Sequence, residues 1–131
     1  HWLIQMVAPE MIERRAGSIV IVSSIGGLRG SPILGAYAIT KAADIQMTKN
    51  LAREYGPHNV RINSIAPGLV RTDFARGLWE NPENLKASTS GAALGRIGEP
   101  REIAGAAVYL ASDASSFMTG QTIVIDGGVV V

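Results

Sequence analysis

Three short runs of apolar, largely β-branched residues constrain the fold of this chain more than any other feature. The runs are Ser18–Ser23, Val60–Ala66 and Thr122–Ile125. The first is apolar without alternation and too short for a helix, which is typical of a strand buried on both faces of a parallel sheet. Helical patterns separate the runs. Strands that alternate with helices in this way predict an α/β fold whose parallel strands are joined by right-handed crossovers.

The helices are predicted from apolar residues that recur at three- and four-residue spacing. They cover His1–Arg15, Tyr37–Glu54, short pieces within Phe74–Ser90, and Pro100–Ala111. Pro9 lies inside the first helix and predicts a kink or a break there, because proline removes a hydrogen bond and its ring clashes with the preceding turn. The segment between Ile25 and Gly35 has four glycines and a proline, and is predicted to be a loop.

Composition excludes several classes of function. The 131 residues have the length of one domain, and the net charge of +1 gives no field for nucleic acid. Cysteine is absent, so disulfides, thiolate catalysis and cysteine metal sites are excluded. The histidines and acidic residues show no metal-ligand spacing, and no metal is expected. No apolar run reaches the roughly 18–20 residues of a membrane span. We therefore expect a cytoplasmic protein with no membrane partner.

Three polar side chains are candidates for one small site. Tyr37 precedes Lys41 by four residues, so both can lie on one face of a helix. Ser24 lies thirteen residues before the tyrosine, directly after the first predicted strand. A hydroxyl at the end of a buried strand can therefore meet a phenol and an ammonium from the following helix.

These residues belong to an ordered set that spans nearly the whole chain. The set comprises IVIVSS ending at Ser24, Tyr37-xxx-Lys41, RINSIAPG followed by LVRT, and TGQTIVIDGG near the C-terminus. Because it carries these motifs in this order, the chain resembles the short-chain dehydrogenase/reductase family. The resemblance implies a Rossmann-like parallel sheet with helices on both faces, and NAD or NADP as cofactor. It also implies a small alcohol or carbonyl substrate and a homo-oligomer, either a dimer or a tetramer.

The resemblance also implies a catalytic role for each of the three candidates. Tyr37 would be the acid/base; a free phenol has a pKa of about 10, and a neighbouring ammonium favours the phenolate. Lys41 supplies that ammonium and would hydrogen-bond the nicotinamide ribose. Ser24 would donate to the substrate oxygen as charge develops there. Ser23 points to the other side of the strand and is expected to be a structural hydroxyl.

The segment after the second predicted strand is the candidate cofactor site, because ligands in open α/β sheets bind beyond the carboxyl ends of strands. The candidate cofactor-binding residues are Tyr37, Lys41, Pro67, Gly68, Val70 and Thr72. Gly68 would admit a close approach of the cofactor to the backbone. By resemblance, the backbone at Val70 would meet the carboxamide, and Thr72 the carboxamide or the pyrophosphate. The alternative is a plain turn in which Thr72 caps a helix.

Two further segments receive roles from the resemblance. The turn Asp126–Gly128 is a structural strand ending, and the family assigns it to assembly. The charged stretch Arg71–Lys86 is where substrate specificity would lie. Its three large apolar side chains either line a pocket or pack between helices; they are Phe74, Leu78 and Trp79.

The family's glycine-rich turn, its NAG motif and its catalytic asparagine do not occur in this sequence. The cluster Gly26–Gly30 lies after the serine and does not fit the fingerprint. We therefore expect residues 1–131 to be one segment, the C-terminal half of such a domain. Two functions stay open: a dehydrogenase or reductase, or a non-catalytic fragment that acts only in folding or oligomerisation. Dehydratase or epimerase chemistry is a third possibility.

Overall fold

The sheet has three parallel strands in the order β1-β2-β3, in a computed structural model that describes residues 1–131. The strands are β1 (Gly17–Val22), β2 (Val60–Pro67) and β3 (Thr122–Ile125). The helices are α1 (Trp2–Glu13), α2 (Gly35–Tyr55), α3 (Arg76–Trp79), α4 (Pro82–Thr89) and α5 (Pro100–Ala111). Short 3-10 turns cover Ile25–Gly27, Gly56–His58, Asp73–Ala75 and Asp113–Ser115. The predicted α/β fold with a parallel sheet is confirmed.

Strand β2 is the centre of the sheet and the most buried element. It pairs with β1 on one side and β3 on the other, and the side chain of Ile62 is fully buried. Strand β1 is less buried than its sequence predicts: Val22 is 59% exposed. The predicted full burial of β1 is not reached: helices contact both of its faces, yet no residue of the strand is fully buried, and β1 has a strand neighbour on one edge only.

Helices cover both faces of the sheet. Buried apolar residues from α1, α2 and β2 form one cluster: Ile4, Ala8, Leu51, Ala52, Tyr55, Val60 and Ile62. Ile19 and Ile21 of β1 pack against this cluster. Ser18 alternates with them and faces the other side, where its Oγ donates to the Leu110 carbonyl of α5 at 2.7 Å. No helix in the structure combines the length and the apolar content that a membrane crossing requires.

Helix α1 continues through Pro9 without interruption. The predicted break at this residue is therefore absent. Ile4 and Ala8, before the proline, are buried in the core cluster, and Met11 and Ile12 pack against it from beyond the proline. Packing on both sides of Pro9 offsets the hydrogen bond that the proline removes.

Glu102 fastens the N-terminus of α5. Its Oε2 accepts the backbone N–H of Glu99 at 2.8 Å, which satisfies one of the helix's unpaired donors. The Arg96 guanidinium donates to both carboxylate oxygens, at 2.8 and 2.7 Å. The hydrogen bonds from Arg96, and then that from the Glu99 backbone, lower the pKa of Glu102 from 4.5 to about 2.

The turn after β1 packs directly on the backbone of α2. A Cβ added to Gly27 would lie 2.6 Å from the carbonyl carbon of Lys41 and 2.7 Å from the amide nitrogen of Ala42. No side chain fits between these two segments. Glycine at this position therefore sets the distance between the end of β1 and the first turns of α2.

We predict that Gly27→Ala destabilises the protein by about 1–3 kcal/mol, because the added methyl meets rigid backbone. Gly30→Ala is the matched control, since a Cβ there has no atom within 4 Å. Urea unfolding of both variants measures the free energy of unfolding. Equal stabilities for the two variants would contradict the tight contact.

We predict that Glu102→Gln removes stability in a pH-dependent way. The pKa of Glu102 is lower in the folded chain, so its contribution is fully present above pH 4.5 and disappears as the pH falls towards 2. The wild-type protein should therefore be more stable than Glu102→Gln near neutral pH, and the difference should shrink in acid. Urea midpoints of both proteins between pH 2 and pH 7 test this. A stability difference between the two proteins that stays constant from pH 2 to pH 7 would contradict this prediction.

Candidate active site

The two serines after β1 have different partners. Ser23 is buried, and its Oγ donates to the Lys41 carbonyl at 2.8 Å, so it ties the strand end to α2 as a structural hydroxyl does. Ser24 is only partly buried, and its Oγ accepts the Gly26 N–H at 3.0 Å. That bond caps the short turn Ile25–Gly27 and leaves the hydroxyl hydrogen of Ser24 available to a ligand.

Gly26 is close to both the Ser24 hydroxyl and the ring of Tyr37. A Cβ on Gly26 would be 3.4 Å from Ser24 Oγ and 3.4 Å from Tyr37 Cε1. The structure therefore brings the strand-end hydroxyl and the ring of the helix-borne phenol to the same glycine. This contact of Gly26 was not predicted from the sequence, although the glycine cluster after the serine was its signal.

Lys41 is held by two acceptors. Its Nζ donates to the Val22 carbonyl at 3.1 Å and to Asp44 Oδ2 at 3.0 Å. The same nitrogen lies 5.8 Å from the centroid of the Tyr37 ring. The ammonium is thus close to the phenol, as their spacing on α2 predicts. The contact of Asp44 with Lys41 was not predicted from the sequence, although their three-residue spacing on a helix was its signal.

Gly68 follows β2 and contacts the turn after β3. Its N–H donates to the Ile125 carbonyl at 2.9 Å, and a Cβ on Gly68 would lie 2.7 Å from the Asp126 Cα. Within this chain, the close approach that glycine permits here is to the Asp126 backbone. Gly68 and Pro67 therefore position the segment that carries Val70.

The backbone N–H and C=O of Val70 point away from Gly98, the residue that pairs with it. A parallel bridge joins it to Gly98, made by hydrogen bonds from Gly98 N to Leu69 O and from Arg71 N to Gly98 O. In this geometry the N–H and C=O of Val70 face the opposite side, and neither has a backbone partner. Only the Thr72 hydroxyl approaches the carbonyl, at 3.5 Å. These groups can pair with a planar amide.

Thr72 caps the 3-10 turn that follows it, with Oγ1 accepting the Ala75 N–H at 3.4 Å. Its carbonyl accepts the indole N–H of Trp79 at 2.9 Å. The Arg71 guanidinium lies 5.1 Å from the Trp79 ring, and Arg71 Nε bonds Glu99 at 3.1 Å. Trp79 therefore packs on its own segment, which favours the packing alternative for this side chain.

Phe74 stays exposed beside the phenol. Its ring centroid is 6.3 Å from that of Tyr37, and 87% of the residue is accessible to solvent. Leu78, on α3, is about half exposed. Phe74 is thus available to a ligand that reaches Tyr37.

The turn Asp126–Gly128 makes its contacts inside the chain. Asp126 accepts the N–H groups of Gly128 and Val130 at 2.8 and 2.7 Å. Gly127 and Gly128 have φ values of +68° and +81°, which favour glycine. A cavity of about 80 Å³ adjoins this turn and Val70, and Ser24, Tyr37 and Lys41 do not line it.

Comparisons with known proteins identify relatives that match nearly the whole chain. A family model described as "Enoyl-(Acyl carrier protein) reductase" matches residues 1–130. Dehydrogenase/reductase SDR family member 4 of Bos taurus is 47% identical over 126 residues, covering 96% of this chain and 45% of that protein. The 3-oxoacyl-(acyl-carrier-protein) reductase of Chlamydia muridarum is 51% identical over 120 residues, covering 90% and 47%. The chain spans about half the length of these curated relatives.

Solved structures give the same result. A 3-oxoacyl-(acyl-carrier protein) reductase of Brucella melitensis superposes with a TM-score of 0.91 at 41% identity, over 98% of this chain and 48% of that one. A second reductase from that organism, solved with bound NAD, has a TM-score of 0.88 at 40% identity, over 98% and 47%. The Rossmann-like fold expected from the resemblance is confirmed. On its sequence and on its fold, the chain belongs to the short-chain dehydrogenase/reductase family.

Proposed function

We propose that the protein is an NAD- or NADP-dependent oxidoreductase that interconverts an alcohol and a carbonyl through Ser24, Tyr37 and Lys41. One observation carries the proposal. The Ser24 hydroxyl and the Tyr37 ring both lie within contact distance of a Cβ placed on Gly26, and the Lys41 ammonium lies 5.8 Å from that ring. Together they offer a hydroxyl donor, a proton donor and a positive charge to a carbonyl bound beside them.

Tyr37 donates a proton to the carbonyl oxygen during reduction and accepts it during oxidation. The Ser24 hydroxyl donates to the same oxygen as negative charge develops on it. It can do so because its oxygen, and not its hydrogen, is engaged by Gly26. The Lys41 ammonium lies 5.8 Å from the centroid of the Tyr37 ring, and one of its N–H groups is left to donate to a ligand bound there.

The residues around the end of β2 fit a nicotinamide cofactor. That cofactor supplies or accepts the hydride when bound. It would be held by Tyr37, Lys41, Val70 and Thr72, with Pro67 and Gly68 positioning the segment that carries Val70. These residues are supported by the backbone N–H and C=O of Val70, which have no backbone partner. One can donate to the carboxamide oxygen of a nicotinamide and the other can accept from its NH2 group. A related reductase binds NAD, and we extend cofactor binding to this protein.

The substrate side of the site is bordered by the segment Arg71–Lys86. Phe74 presents an exposed ring beside Tyr37 and supplies an apolar wall next to the reacting oxygen. The ring favours small carbonyl compounds that carry an apolar group on one side of the carbonyl.

We predict that Tyr37→Phe lowers kcat by about 10²–10⁴-fold, because it removes the proton donor and retains the ring. The measurement is the absorbance of reduced nicotinamide during turnover by the complete gene product. Tyr109→Phe is the control, since Tyr109 lies on α5, away from the three candidates. Full turnover by Tyr37→Phe would reject the proposal.

A second candidate is a non-catalytic unit that serves folding or assembly. Two observations favour it for the 131 residues by themselves: the chain covers about half of its relatives, and β1 has an edge without a strand neighbour. Such an edge presents unpaired peptide groups to another chain. We propose a homo-oligomer on the same ground.

We predict that the 131-residue chain alone shows no micromolar affinity for NADH or NADPH. The sequence contains no glycine-rich turn to hold the pyrophosphate. Fluorescence titration of the chain with each reduced cofactor tests this, with light scattering to record its oligomeric state. Saturable micromolar binding would favour the enzyme over the non-catalytic unit even for this segment.

A further inference from the structure

We infer that Asp44 is a positioning residue for Lys41. Its carboxylate holds the Lys41 ammonium at the end of β1, so that the amine is already in place when a cofactor binds beside Tyr37. This inference rests on the proposed function, because it concerns how Lys41 is made ready for that role.

The ammonium is fixed from two directions. Lys41 Nζ donates to Asp44 Oδ2 at 3.0 Å and to the Val22 carbonyl at 3.1 Å. A lysine ammonium has three donors, so one N–H remains for a ligand or for the phenol. A side chain held at two points loses less rotamer freedom on binding than a free lysine does.

The ion pair is better shielded than the others in the chain. Its side chains are 23% and 26% exposed, whereas Arg14 and Glu10 of the pair on α1 are 51% and 79% exposed. Shielding from water strengthens the attraction between two charges. Lys41 is also the only one of the three lysines that has a carboxylate within ion-pair distance.

The backbone around Asp44 is itself anchored. The hydroxyl of Thr48, which is fully buried, donates to the Asp44 carbonyl at 2.8 Å. Asp44 lies one turn after Lys41 on α2, where side chains three residues apart are neighbours. The charged partners of Lys41 are thus on its own helix, and β1 contributes the Val22 carbonyl alone.

The test compares Asp44→Asn, Asp44→Glu and Glu10→Gln in the complete gene product. Asp44→Asn removes the charge at nearly constant shape, Asp44→Glu keeps the charge, and Glu10→Gln removes the exposed pair on α1. Two readouts are recorded. One is the affinity for NADH and NADPH by fluorescence titration, and the other is the ¹H–¹⁵N correlation signal of the Lys41 ammonium, assigned with Lys41→Met.

We expect Asp44→Asn to weaken cofactor binding about fivefold, which corresponds to an ion pair of about 1 kcal/mol. The Lys41 ammonium signal should broaden or vanish, because the freed amine exchanges its protons with water. Asp44→Glu should restore both readouts, and Glu10→Gln should change neither.

Unchanged affinity in Asp44→Asn, or a retained Lys41 signal, overturns the inference. If Asp44→Asn keeps the cofactor affinity or the Lys41 signal while Tyr37→Phe still abolishes turnover, the inference fails and the proposed function stands. If Tyr37→Phe and Lys41→Met both keep full turnover, the proposed function fails, and the positioning role fails with it.

Discussion

The backbone contact between the turn after β1 and helix α2 is the constraint on which the candidate site depends. Gly27 allows this contact, because a Cβ there would lie 2.6 Å from the carbonyl carbon of Lys41. The buried hydroxyl of Ser23 reinforces it by bonding the same carbonyl. With strand and helix held so closely, Ser24 and Tyr37 both come close to Gly26. Residues thirteen positions apart in the sequence are thereby brought together.

Strand β2 provides the second part of the site. It is the central, fully covered strand, and its end is fixed against β3 through Gly68 and Asp126. The bridge from Val70 to Gly98 then turns the free peptide group of Val70 outward. Ends of neighbouring parallel strands meet at one edge of a sheet, which brings this group to the same edge as Ser24. The hydroxyl, the phenol, the ammonium and the backbone groups of Val70 are thus carried by segments that follow β1 and β2.

Several charged side chains of this chain form ion pairs, which the net charge of +1 does not reveal. Lys41 is paired with Asp44, Arg71 with Glu99, and Arg96 with Glu102. The second and third pairs fasten the segment after β2 and the N-terminus of α5. The first lies near the ring of Tyr37, and we propose that it positions Lys41.

Much of the fold could be predicted from the sequence, because periodicity and turn residues are local signals. The strand Thr122–Ile125 and the helix Pro100–Ala111 have the bounds that their patterns predict. The burial of each strand was harder to predict from the sequence. The apolar run of β1 resembles that of a central strand, yet its exposure depends on which strands are its neighbours. The same holds at Pro9, where packing on both sides preserves a helix that the local rule would interrupt.

For the candidate site, the sequence by itself selected Ser24, Tyr37 and Lys41, since hydroxyl, phenol and ammonium are recognisable by type and spacing. Only the tertiary structure decided their partners. In the folded chain Lys41 bonds Asp44 and the Val22 carbonyl, Gly26 comes close to both Ser24 and Tyr37, and the N–H and C=O of Val70 have no backbone partner. The reason is physical: residue type and helical spacing are encoded locally, whereas hydrogen-bond partners and close backbone approaches depend on how separate segments pack.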